Sequence, residues 1–132
     1  MSDKTIRWKQ RFENFSKSLN HLADAVEIEH MSEIEKAGMI QFFEVSFELA
    51  WKVLKDYLEA EGFNVKSPRE SIKQAFQVEL INDGTTWLDA LEKRNLSAHT
   101  YDENILEELQ ELIRHSYFPV MFSLQQKLQK EV

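Results

Sequence analysis

Near the start of the chain the apolar residues Trp8, Phe12, Phe15, Leu19, Leu22 and Val26 follow one another at spacings of 4, 3, 4, 3 and 4. That rhythm places them on one stripe of an α-helix. Asn14, Lys17, Ser18, Asp24 and Glu27 fall largely off the stripe. The pattern predicts a first helix over about residues 4–29. A second helix opens at Ser32-Glu33-Ile34-Glu35. This is a capping box, in which the Ser and Glu side chains each satisfy the other residue's free backbone N–H. The helix is expected to run to about Glu61 and to stop at Gly62, a natural residue for the left-handed turn beyond a helix. Its middle is apolar on most sides, from Met39 to Leu58, and Trp51 is expected to be a buried core aromatic. Only a narrow polar line interrupts it: Gln41, Glu44, Glu48, Lys52 and Lys55. A helix this apolar cannot face water over half its surface, so it lies at the centre of a bundle or packs one face against a second chain.

Ser67-Pro68-Arg69-Glu70 is another capping box, with proline at the tolerated first helical position. It predicts a third helix with Ile72, Ala75, Phe76 and Leu80 inward. Asn82-Asp83-Gly84 reads as a turn, and a short fourth helix with Trp87, Leu88 and Leu91 is expected from near Thr86. Thr100-Tyr101-Asp102-Glu103 is a third capping box. It predicts a fifth helix from near Tyr101 and a break over residues 95–100. Ile105, Leu109, Leu112, Ile113, Val120, Leu124 and Leu128 carry its apolar side. Pro119 should kink it near Arg114–His115, because proline supplies no N–H and crowds the carbonyl four residues back. The expected fold is all-α, four or five helices with short connections in an up-down bundle.

Composition narrows the functional classes. The 132 residues make one ordinary helical-bundle domain, 1–132, and 42% hydrophobic with 30% charged residues is enough for a core and too apolar for a disordered chain. Three glycines and two prolines leave room for few tight turns. With no cysteine, disulfides and thiolate metal sites are excluded, which fits a cytoplasmic protein. No signal peptide is expected in the charged N-terminal stretch, and no apolar run reaches a membrane span of about 18 residues, so no membrane association is expected. The net charge of −7 repels nucleic acid overall, so any RNA contact must be a local basic pocket. No Gly-rich phosphate loop, Walker motif or Ser/His/Asp arrangement is present, and neither is the Gly-Ser pair with paired aspartates that a polymerase-β-type nucleotidyltransferase needs for its metals. His21, His30 and His115 form no ligand pattern, so neither a metal nor a cofactor is expected.

The most informative segment is Arg94-Asn95-Leu96-Ser97-Ala98-His99-Thr100-Tyr101. On an unbroken helix Arg94 and His99 would stand about 140° apart. A break before the Thr100 cap would let both enter one cleft, where arginine holds a phosphate and histidine moves a proton. The plainer reading pairs Arg94 with the acidic first turn of the fifth helix, Asp102 and Glu103, and packs His99 in the loop. Glu44, Glu48 and Lys52 form either a buried polar seam at a chain–chain contact or a solvated stripe with a Glu48–Lys52 pair. Both choices stand open on spacing alone.

Phe47-Glu48-Leu49-Ala50-Trp51-Lys52, Leu58, Gly62, Ser67-Pro68-Arg69-Glu70, Ala75-Phe76, Trp87-Leu88 and above all Arg94-Asn95-Leu96 with His99-Thr100-Tyr101 resemble the nucleotidyltransferase substrate-binding protein family. That family is similar to the wider HEPN group of helical toxins, and the resemblance covers about residues 5–125. It implies an antiparallel four-helix bundle with an extra short helix, a homodimer, and a separately encoded minimal nucleotidyltransferase as partner. The chain would bind that catalytic subunit and a nucleotide or nucleic-acid ligand, with Asn95, Glu48 and Lys52 as ligand or partner contacts. The toxin branch implies an alternative, in which Arg94 and His99 serve metal-independent RNA cleavage and Tyr101 receives AMP from the partner, silencing the toxin of a toxin–antitoxin pair.

Overall fold

Serine caps set the frame. In a computed structural model, which describes residues 2–97 and 103–132, α1 spans Asp3–Val26 and α2 spans Glu33–Ala60. Ser32 Oγ accepts the Glu35 N–H at 3.1 Å and Glu35 returns the contact to the Ser32 N–H at 2.9 Å, so the expected capping box closes. Gly62 lies at φ +97°, and the N–H groups of Gly62 and Phe63 turn back to the carbonyls of Glu59 and Leu58. This left-handed end is the reason a glycine stands there. The short helix α3 spans Pro68–Gln77 behind the Ser67 cap. Glu70 reaches the N–H of Lys66 there, one residue earlier than a strict box requires.

Helix α4 spans Gly84–Ser97, earlier and longer than the short helix expected from Thr86. Asp83 starts it, its carboxylate accepting the Thr86 N–H at 3.0 Å and the Thr86 hydroxyl at 2.6 Å. Because α4 continues through Ser97, the break expected over 95–100 does not include residues 95–97. The Thr100 cap lies outside the described residues. From there α5 (Glu103–Leu112), a π-helical turn (Ile113–Tyr117) and α6 (Phe118–Gln129) form one continuous helical run. The π-helical turn falls where a kink is expected from Pro119. Proline cannot donate to the His115 carbonyl, and the Phe118 N–H reaches Ile113, five residues back. The fold is therefore all-α, an antiparallel four-helix bundle of α1, α2, α4 and α5–α6 with α3 as the extra short helix. Among the described residues no helix is long and apolar enough to cross a membrane.

The α1 stripe is buried from Trp8 to Leu22 and packs along α2. Ser18, which falls off the stripe by spacing, is buried too, and its hydroxyl meets that of Ser46 at 2.7 Å. Phe43, Phe47, Trp87 and Tyr117 form a continuous aromatic core through α2, α4 and the π-helical turn, with ring centroids 5.5–6.1 Å apart. Two expectations of burial fail. Trp51 is half-buried at the edge of α2. Phe76, expected inward, is 51% exposed. The reason is that the chain turns back after Gln77 and α4 starts at Gly84 beside α3, so the Phe76 ring lies over the first turn of α4 and outside the core.

Candidate functional site

The polar line of α2 meets the end of α4. Glu48, on the half-buried side of α2, gathers three donors. Arg94 approaches it at 2.6 Å, the Trp51 indole N–H donates at 3.0 Å, and Lys52 lies 3.2 Å away. One turn earlier on α2, Glu44 accepts the Ser97 hydroxyl at 3.0 Å. Arg94 also donates to the Asn95 side-chain oxygen at 3.3 Å. The seam thus joins four of the residues singled out in the sequence: Arg94, Asn95, Glu48 and Lys52. Arg94 finds its carboxylate on α2, 46 residues away in sequence, and the Glu48–Lys52 pair is part of that same seam. His99 and Tyr101 lie outside the described residues.

Burial alone would raise the Glu48 carboxyl. The hydrogen bonds from Trp51 and Lys52 and the charges of Arg94 and Lys52 outweigh it and hold the group below the usual value of 4.5. The seam is open to water, with about a third of both the Arg94 and the Glu48 side chain exposed. Its contacts with Glu48 and Asn95 use two of the guanidinium's five N–H groups among the described residues. An incoming phosphate or carboxylate would therefore meet a positioned cation.

The first half of α4 is anchored to the core. Trp87 is fully buried against Phe47, and the Tyr117 hydroxyl donates to Asp89, which also pairs with Lys93 at 3.4 Å. Burial first, and that carboxylate second, push the Tyr117 phenol far above its ordinary range. The apolar spacing does not place Tyr117 in the core, because the π-helical turn shifts the phase of the stripe behind it. Ser97 and Trp51 are likewise donors that the sequence pattern leaves unmarked. The available signal is the pair of carboxylates on an otherwise apolar helix, since half-buried carboxylates require partners. The other histidines serve local ends. His21 stacks on Phe42 at 5.1 Å, His30 holds a left-handed φ of 54° between α1 and α2, and His115 meets Glu111 at 3.1 Å. Among the described residues, no group of three or more His, Asp or Glu side chains is placed to hold a metal ion.

The architecture is that of an all-α helical bundle, and the chain belongs to the nucleotidyltransferase substrate binding protein like family, whose model matches residues 10–130. A protein of known crystal structure from Thermus thermophilus is 30% identical, with a TM-score of 0.75 over 89% of this chain and 97% of that one. A Haemophilus influenzae protein, whose structure is described as revealing the fold of a substrate binding domain of a nucleotidyltransferase, has a TM-score of 0.68 at 21% identity, over 96% of this chain and 99% of that one. At that identity the likeness is one of fold. A probable ribonuclease HepT, also of Haemophilus influenzae, is 32% identical over 72 residues, covering 51% of this chain. The match spans about half the length of that curated relative.

Proposed function

We propose that this chain is the substrate-binding and partner subunit of a two-component minimal nucleotidyltransferase system, with residues 1–132 acting as one domain. The observation that carries the reading is the Arg94–Glu48 seam, a positioned and partly exposed cation on an acidic bundle of the substrate-binding fold. Arg94 and Lys52 supply charge to a nucleotide or nucleic-acid ligand, and Asn95 supplies an amide beside them. The separately encoded catalytic subunit supplies the nucleotidyl-transfer chemistry. Two copies pair through apolar surface left open around the seam, where Val45 on α2 is 38% and Leu96 on α4 is 44% exposed. Co-expression with the minimal nucleotidyltransferase should give a stable complex, and light scattering of the chain alone should give about twice its 15.6 kDa mass. Failure to co-purify with that partner, or a stable monomer, would count against the respective half of the reading.

A second reading is favoured by the Arg94, His99 and Tyr101 pattern together with the likeness to a probable ribonuclease. Here the chain is a metal-independent endoribonuclease toxin. His99 takes the proton of a ribose 2′-hydroxyl, the 2′-oxygen attacks the adjoining phosphorus, and the 5′-oxygen of the next nucleotide leaves and gains a proton. Arg94 stabilises the extra charge on the five-coordinate phosphate. The products carry 2′,3′-cyclic phosphate ends, and EDTA does not inhibit. His99→Ala should lower the rate about 10²–10⁴-fold. AMP transfer to Tyr101 by the partner would silence the site, which intact-mass measurement reads as added AMP units absent from Tyr101→Phe. Wild-type dimer, free of partner and AMP, that cleaves no RNA would remove this reading and leave the first.

A further inference from the structure

The α3–α4 corner carries chemistry that the Arg94 seam does not use. Phe76 stands 51% exposed, with its ring against Gly84 at the start of α4. A Cβ at Gly84 would come within 3.2–3.4 Å of the Phe76 ring and its Cβ, so the glycine lets the ring lie close on the backbone. The ring thus lies against Gly84 while about half of the residue stays open to solvent. Beside it runs a groove of about 580 Å³ lined by Ile72, Lys73, Phe76, Gly84 and Leu88 among others. Lys66, Arg69 and Lys73 are exposed and recur at spacings of 3 and 4, so Arg69 and Lys73 share the face of α3 that bears Phe76. None of the three makes an ion pair among the described residues. Two acidic groups close to them in sequence are partly committed elsewhere: Glu70 accepts the Lys66 backbone N–H, and Asp83 caps α4 through Thr86. Glu79 remains exposed beyond the end of α3.

We propose that this face binds single-stranded nucleic acid, with a base stacked on Phe76 and the phosphates running along Lys73, Arg69 and Lys66. Charge complementarity selects the occupant. On a chain of net charge −7 a local row of unpaired cations is the feature that attracts a polyanion. An open aromatic ring amid such cations is the arrangement that holds an unpaired strand without reading its sequence. A duplex offers no exposed base face to the ring. The surface is separate from the Arg94 seam, so it stands or falls independently of the proposed function.

The test is fluorescence anisotropy with a 5′-fluorescein oligothymidylate of roughly twelve nucleotides, within the span such sites cover. The probe lacks 2′-hydroxyls and cannot be cut by attack of its own sugar. Wild type should bind it with an affinity that falls with salt. Lys73→Glu and Arg69→Glu should each weaken binding, and neutral Lys73→Gln should flatten the log–log salt slope by about 0.7. Phe76→Ala should weaken binding about 5- to 150-fold, and Phe76→Tyr should retain it. The substituted side chains are exposed cations and a half-open ring, and circular dichroism with thermal melting checks that each variant is folded. The proposal is overturned if wild type does not bind, or if binding survives all these substitutions in folded protein. It is also overturned if the variants lose capture of the nucleotidyltransferase partner while keeping the oligonucleotide, which would make this corner a protein interface. Loss of binding in Arg94→Ala alone would assign the strand to the α2–α4 seam and likewise reject the α3 face.

Discussion

Two arginines reach carboxylates on α2 from opposite neighbours. Arg11 on α1 meets Asp56 at 3.1 Å, and Arg94 on α4 meets Glu48 at 2.6 Å. The arginines are about equally exposed, at 33% and 32%, but Asp56 is 5% exposed and Glu48 31%. That difference in the carboxylate separates their roles. Asp56 has been taken out of water and depends on Arg11 to offset the loss, so the pair locks α1 to α2. Glu48 keeps water and two further donors, Trp51 and Lys52, so Arg94 can exchange its partner for an incoming anion without leaving a buried charge behind. Identical chemistry therefore gives a fixed strut in one seam and an available cation in the other.

The largest effect should come from breaking the strut. Arg11→Ala strands the Asp56 carboxylate in the interior and should cost about 3 kcal/mol, the low end of the range for a broken buried pair because Arg11 itself is partly exposed. Denaturant unfolding measures it. The double variant Arg11→Met/Asp56→Leu should recover most of the loss, since well-packed apolar residues can replace a buried pair at little cost. A loss below about 1 kcal/mol in the single variant would show that water reaches Asp56 and would erase the contrast between the two seams.

The contrast also marks what a sequence can disclose. The α1 stripe and the Ser32 and Ser67 caps are legible because each is written within a few adjacent residues. Asp56 is not, because it lies on an apolar helix and its partner is 45 residues away. Arg94 is legible as chemistry but not as geometry. Its sequence pattern with His99 and Tyr101 is local, whereas its contact with Glu48 depends on α4 crossing α2. Phe76 follows the right helical phase and still turns outward, because burial depends on where α4 starts and not on α3 alone. Tyr117 is hidden by the π-helical turn, which adds a residue to the helical phase that places Ile113, Tyr117 and Met121 in the core.

A smaller effect on stability is expected at the open pair. Arg94→Ala should change unfolding free energy by less than about 1 kcal/mol, as partly exposed ion pairs do. Its effect on nucleotide or RNA affinity, or on cleavage, should be far larger in proportion. In the ribonuclease reading the loss is about 10²–10³ in rate, that of one positioned stabiliser of transition-state charge. Parallel thermal melts and ligand titrations of Arg94→Ala separate the two. A variant that unfolds as readily as Arg11→Ala would make Arg94 a second strut and deprive the seam of its candidate role.

The smallest effect is a pH dependence, and its sign is fixed by Glu48. The folded carboxyl sits below its usual 4.5, because the hydrogen bonds from Trp51 and Lys52 and the charges of Arg94 and Lys52 together exceed the opposing effect of burial. A group depressed by folding stabilises the native state while it is ionised in both states. That contribution is complete above the unfolded value of 4.5 and disappears as pH falls through the lower folded value. Glu48→Gln keeps the size and an acceptor oxygen but removes the charge. Wild type should therefore be modestly more stable than Glu48→Gln near neutrality, by a few tenths of a kcal/mol as expected for an exposed network. The gap should narrow as the medium is acidified below 4.5 and vanish once Glu48 is protonated in the folded protein. Urea unfolding of both proteins across that range, at low and high salt, reads the effect directly. Salt should shrink the gap because the seam is open to solvent. A gap that is constant with pH would mean that the native seam does not depend on the Glu48 charge. One that grows on acidification would mean that burial, and not the cations, governs the carboxyl.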